Sequence, residues 1–167
     1  MSTPIRASLK AESSEMLIGA LLRVPAQDIQ RRIIRDLNAA GFGELRLPHM
    51  AVLQFPGPDG SRPGVLATRA GMSKQAMNQL LHSLEEYGYV KRSDEPGEAR
   101  ARTVEFTKRG AAAYAKIYDI LHEVEREWSS ELGQRDFEQL KKLLLRVWNS
   151  SLTTGNKAQK VNERTER

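Results

Sequence analysis

The sequence predicts a mainly helical fold that carries one small antiparallel β-hairpin. Three features predict it. Apolar residues recur three and four apart along most of the chain, the period of a buried helix face. Residues 89–92 and 102–106, the latter alternating apolar and polar, read as strands, and each is short enough for one strand. Proline and glycine punctuate the middle of the chain far more closely than its flanks, so short elements lie between long ones. The 167 residues suit one domain, or a small domain with helical extensions, and 40% hydrophobic content is enough to bury a core.

Residues 1–13 are polar and are expected to be flexible, with a single folded domain over 14–152. A helical stripe begins at Met16 and continues through Leu17, Ala20 and Leu21 to Ile29, Ile33, Leu37 and Ala40. Pro25 lies inside it and should break the segment or kink it, because it lacks a backbone donor and crowds the preceding turn. Gly41 is placed to end this arm. Residues 48–55 read as a short apolar helix opened by Pro48, and Pro56-Gly57-Pro58-Asp59-Gly60 as a loop.

Pro63 can start the next helix, in which Leu66, Ala67 and Ala70 share a face, and Gly71 can stop it. Ser73 then suits the N-cap of a helix running from Lys74 to about Tyr87. Met77, Leu80, Leu81 and Leu84 are spaced i, i+3, i+4 and i+7 for burial. The opposite face carries Lys74, Gln75, Asn78, Gln79 and His82. Those side chains are basic or uncharged, and each can offer a hydrogen bond to a base edge or a phosphate. The acidic groups, Glu85 and Glu86, come only in the last turns. Gly88 ends the helix, Tyr89 to Arg92 reads as a strand, and Asp94-Glu95-Pro96-Gly97 as a turn. Arg102 to Phe106 reads as the returning strand, with Val104 and Phe106 on one side and Thr103 and Glu105 on the other. Thr107 should cap the first of the closing helices.

Two long helices close the domain. Tyr114, Ile117, Leu121, Val124 and Trp128 form a heptad seam over residues 110–132. Phe137, Leu140, Leu144, Val147 and Trp148 repeat it after Gly133. Together with Met16, Leu17 and Leu21 they supply more apolar surface than one small lobe can cover. These positions are therefore the expected dimerisation surface, on arms spanning about 14–42 and 110–152. Residues 153–167 are polar without period and are expected to be a disordered tail.

The same order of elements suggests a function. A short helix, a glycine turn, a longer helix with polar tips and a basic hairpin can hold one helix in the major groove of duplex DNA. In this reading Ser73, Lys74 and Gln75 meet phosphate at the helix N-terminus, while Asn78 and Gln79 read bases. His82 is as readily a contact as a merely exposed residue. Arg100 and Arg102 place guanidinium groups near the minor groove or the backbone. Lys91 and Arg92 suit phosphate contact and strand-end solvation equally. A net charge of +5 permits a polyanionic partner without establishing one.

Other chemistries find little support. The absence of cysteine excludes disulfides, thiol nucleophiles and sulfur-ligated zinc. His49, His82 and His122 are scattered, so no metal or other cofactor is expected. No phosphate loop or nucleophile elbow is present to suggest an enzyme. No apolar run approaches the roughly 20 residues that span a bilayer, and the N-terminus has no secretory pattern, so a cytoplasmic, non-membrane protein is expected.

The segments LATRAGMSKQAM (66–77), LEEYGYV (84–90) and RARTVEFTKRG (100–110) resemble the MarR family of winged-helix regulators. The likeness is specific over about residues 62–114, in the lobe spanning roughly 48–109. Glu98 stands where the family usually has aspartate, and Phe106 where leucine is common. The resemblance implies a winged helix-turn-helix with N- and C-terminal dimerisation helices, forming a homodimer that binds palindromic double-stranded DNA. It also implies a repressor, sometimes an activator, often released by a small and frequently aromatic effector. Two alternatives stay open: a winged-helix module that docks a protein partner, and a ligand-binding helical dimer that does not bind DNA.

Overall fold

The computed structural model describes residues 16–54, 57–58, 60–94 and 102–150, and the elements follow in the expected order. Helix α1, Ile18–Ala39, is a single helix that continues through Pro25 and is not broken in two. The proline falls in the outer half of α1, where Leu21, Leu22 and Val24 are about half exposed and a carbonyl deprived of its donor can face water. Only toward its C-terminal half does α1 enter the core, through Ile33 and Leu37. It ends at Gly41, whose φ of 89° is the left-handed conformation that L side chains avoid. Gly41 N–H donates to Asn38 O at 3.2 Å and Phe42 N–H to Leu37 O at 3.0 Å, the paired bonds of a Schellman motif.

A 3₁₀ turn at Leu47–His49 leads into α2, Met50–Leu53. Phe55, where the sequence ends this helix, lies outside the described residues, as do Pro56 and Asp59. Helices α3, Pro63–Arg69, and α4, Lys74–Glu86, form the helix-turn-helix. Strands β1, Val90–Asp94, and β2, Arg102–Phe106, pair antiparallel, with Val90 opposite Phe106 and Arg92 opposite Val104. Ser61 adds an isolated bridge to Val104. Long helix α5, Lys108–Leu132, and α6, Gln134–Trp148, close the described chain. Residues 1–13, the 95–101 segment with Arg100, and the tail 153–167 lie outside the described residues.

The core joins both ends of the chain to the lobe. Leu45, Val52, Leu53, Met77, Leu81, Leu84, Tyr89, Val104, Ala113 and Ile117 are fully buried beside Ile33 and Leu37. This corrects part of the expected dimer seam. Ile117 and Val124 are already covered within one chain, and Leu121 packs against the same core. Their heptad spacing lies along the face of α5 that receives α1 and the lobe. Phe137 is likewise only 6% exposed, because α6 folds back on α5, where Lys141 also meets Glu125 at 2.9 Å. Tyr114, Trp128 and Leu140 are intermediate in exposure. The faces left open are at the tips: Met16, Leu17, Ile18, Leu21 and Leu22 on one arm, and Leu143, Leu144, Leu145, Val147 and Trp148 on the other.

Charged groups fasten α1 to α5. Arg32 makes two hydrogen bonds to Glu127 and lies 3.4 Å from Glu123 and 3.6 Å from Asp36. Its bond to Glu127 holds the guanidinium more firmly protonated and lowers the pKa of Glu127.

Candidate nucleic-acid interface

Helix α4 is held from beneath by Met77, Leu81 and Leu84, all fully buried, with Leu80 partly covered. At about 1.5–3 kcal/mol for each buried side chain, this face secures the helix to the lobe. Its N-terminus is set by the turn before it. Gly71 has φ 64°, Gly71 N–H donates to Thr68 O and Met72 N–H to Ala67 O, so α3 stops in a Schellman turn. Ala67, 2% exposed, is small enough to let α4 cross closely.

Ser73 caps α4, its Oγ accepting from Ala76 N–H at 3.1 Å. The hydroxyl proton of Ser73 is not used by that bond and stays available to an acceptor outside the chain. Ser73, Lys74, Gln75, Asn78, Gln79 and His82 are all exposed. Five of these belong to the face singled out by the sequence, and the structure brings them together on one side of α4 with Ser73 at its head. Lys74 has no ion pair among the described residues. His82 lies 3.4 Å from Glu86, one turn along the helix. At the far end Gly88, φ 74°, repeats the Schellman stop, with Tyr89 N–H donating to Leu84 O at 2.8 Å.

The hairpin is only partly described. Arg102 occupies the first position of β2, opposite Asp94. Thr103, on the side of β2 opposite Val104, is only 7% exposed and donates to Ser93 O at 3.5 Å. Lys91, fourth from the end of β1, meets its cross-strand partner Glu105 at 2.9 Å. Arg92 turns back onto α4, where Nη2 donates to Asn78 O at 3.3 Å and Nε lies 3.4 Å from Glu85 Oε2.

Three further groups brace the interface and are not visible in sequence periodicity. His49 is 7% exposed: Nδ1 accepts from Arg46 N–H at 3.1 Å, and Nε2 lies 3.1 Å from Ser83 Oγ on α4. Burial pushes its pKa down, which favours the neutral ring that the bond accepted by Nδ1 needs. Tyr89 is fully buried. Its hydroxyl donates to Glu44 at 3.0 Å, and the Arg109 guanidinium sits 4.7 Å from its ring centroid while gripping both Glu44 oxygens. Burial, then the Glu44 contact, pushes the phenol up to about 12. Gly110, in the first turn of α5, lies directly against the Tyr89 carbonyl. The only sequence signal for these is the Arg46-x-x-His49 spacing, that of a residue three along returning to a helix start.

Among the described residues no group of three or more His, Cys, Asp or Glu could hold a metal ion, and no helix is long and apolar enough to cross a membrane.

The architecture has many solved counterparts. The MarR family's model matches residues 50–101, from α2 through the helix-turn-helix into the hairpin. The fold is similar to that of a Mycobacterium tuberculosis MarR family protein in complex with salicylic acid, at 23% identity and TM-score 0.60. That match covers 79% of this chain and 96% of the other. The transcriptional repressor CouR, bound to a 23-mer DNA duplex, is similar at 20% identity and TM-score 0.63, over 81% of this chain and 94% of its own. Apo MarR from E. coli matches at 20% identity and TM-score 0.63, covering 79% and 97%. No curated protein matches the chain by sequence.

Proposed function

We propose that this chain is a MarR-family protein, on the match of its winged-helix lobe to that family's model, and that it acts as a sequence-specific DNA-binding regulator, a repressor working as a homodimer on a palindromic duplex. The observation that carries the reading is the exposed amide and lysine face of α4, presented on a helix whose other side is locked into the core. Lys74 and the Ser73 hydroxyl meet phosphate, assisted by the helix dipole; Asn78 and Gln79 reach base edges, for which adenine is the natural partner. A second copy covers the open apolar tips of α1 and α6, where Leu17 is 80% and Trp148 52% exposed. The duplex bound to CouR and the salicylic acid bound to the mycobacterial protein prompt the same assignment of DNA as partner and a small aromatic molecule as releasing effector.

The test separates reading from anchoring. A duplex is selected from a random pool by the parent protein and compared with an unrelated duplex of equal length at several salt concentrations. N78A or Q79A should lose about 1–3 kcal/mol on the selected duplex and relax sequence preference. K74A should weaken both duplexes alike and reduce the salt slope by about one counterion. Parental behaviour in both classes of variant refutes the assignment of α4. A parent that selects no duplex but is retained by a protein partner through this face favours the docking-module reading.

A further inference from the structure

Resting on that reading, we infer that Arg92 is a positioning residue that fixes the hairpin against the middle of α4 and thereby sets sequence discrimination. A cation at the edge of a strand beside a DNA-reading helix is ordinarily expected to face solvent or phosphate. Arg92 does neither, its side chain being only 18% exposed. Nη2 donates to the backbone carbonyl of Asn78, 3.3 Å away, Nε lies 3.4 Å from Glu85 Oε2, and the backbone N–H of Arg92 donates to Glu85 Oε1 at 3.3 Å. One residue of β1 therefore touches α4 at two levels, seven residues and about two turns apart.

The upper level is the peptide of Asn78, whose side chain is assigned to base reading. Among the described residues, Arg92 makes the side-chain hydrogen bonds and ion pair that tie the hairpin strands to α4. Val90 and Val104 anchor the base of the hairpin in the core, and the neighbouring cation Lys91 is engaged across the sheet by Glu105. Arginine is required by the geometry. A planar fork can address a carbonyl and a carboxylate in different directions, whereas an ammonium offers one point of charge on a flexible stem. Because Arg92 is mostly covered and paired, it neutralises no phosphate unless it first leaves Glu85. Its contribution to binding passes through α4, not through the DNA backbone.

R92K keeps the charge and the backbone donor while removing the simultaneous reach. On the parent's selected duplex it should bind about tenfold more weakly, with binding to the unrelated duplex within about twofold of the parent and the salt slope unchanged. E85Q, which removes the charge from the other half of the clasp, should show the same pattern. The N78A/R92K double variant should lose less than the two single losses combined, because both act on the same contact. A salt slope reduced by about one counterion makes Arg92 a phosphate contact and overturns the inference. So does an unchanged specificity ratio, whether or not thermal stability falls, since a purely structural role lowers stability without moving the ratio. If the parent itself selects no duplex, the proposed function fails and this inference falls with it; if the parent selects one and R92K and E85Q match it, only this inference fails.

Discussion

Replacing Gly110 by alanine tests how the reading lobe is seated on its long helix. A Cβ at Gly110 would stand 1.9 Å from the carbonyl oxygen of Tyr89, and 2.9 Å from both Tyr89 C and Phe106 Cδ1. Carbon and oxygen normally approach to about 3.3–3.6 Å, so the start of α5 and the Tyr89 peptide would have to part by more than roughly 1 Å. The peptide is not free to yield. Its oxygen accepts from Thr107 N–H at 3.1 Å and Thr107 Oγ1 at 3.2 Å, and its side chain is fully buried. Overpacking of this kind costs about 1–3 kcal/mol, and disturbing the Thr107 cap adds about 1. Alanine's better helix propensity returns at most about 1 kcal/mol, and less in a first turn. The expected net loss is about 1–4 kcal/mol, a large share of a stability of about 5–15. G19A in α1 is the control, since nothing lies within 4 Å of its added Cβ; it should change stability by no more than about 0.5 kcal/mol. Urea unfolding followed by circular dichroism, at one fixed protein concentration, measures both. G110A unfolding at the parent's midpoint with an unchanged slope refutes the packing of α5 on Tyr89.

Two other outcomes are expected from the same geometry. Because burial depresses the His49 pKa below 6.5, the unfolded chain takes up this proton first as pH falls. The contribution of His49 is thus complete above about 6.5 and is lost as pH drops through the folded value. H49Q should flatten the dependence of the unfolding midpoint on pH as it falls below about 7; a slope equal to the parent's would assign that dependence to other groups. On α6, L144E places a charge on a side chain that is 39% exposed and already outside the protomer core. It should leave helical content intact and dissociate the dimer in sedimentation; a variant as dimeric as the parent removes α6 from the proposed seam.

The elements legible in the sequence are those whose signals are local. Ser73 and Thr107 announce their helices because a hydroxyl at an N-cap needs only an amide three residues on, and both make that bond. Gly41, Gly71 and Gly88 mark three helix ends because each must adopt positive φ. The polar face of α4 is legible for the same reason: its spacing is that of a single helix. Periodicity can say that Ile117 and Val124 are buried but not by what, and the structure places them against their own chain. Nor can it show that Arg92 folds back on Asn78, that His49 reaches Ser83, or that Glu44 and Arg109 meet across 65 residues, since those pairings depend on the tertiary fold. Of the break or kink expected at Pro25, the break does not occur, because a helix can pass through proline where the freed carbonyl has access to water.

The Glu44–Arg109 pair meets at Tyr89, between the helix proposed to read DNA and the arms proposed to dimerise. Tyr89 ends the Schellman turn of α4 through its amide and precedes β1 in the chain. Its carbonyl receives the N-cap of α5, and its hydroxyl holds Glu44 in the loop after α1. Arg109, from the first turn of α5, closes the ring by stacking on Tyr89 and binding Glu44. The core makes the lobe cohere, but apolar contacts are non-directional and tolerate small slides. Hydrogen bonds that tie one buried residue to Leu84, Glu44 and Thr107 do not, because any shift beyond a few tenths of an ångström leaves polar groups unsatisfied out of water. A two-site reader needs the spacing between its two reading helices held to the repeat of the duplex. In this chain the path from α4 to the arms that would set that spacing runs through the polar node at Tyr89.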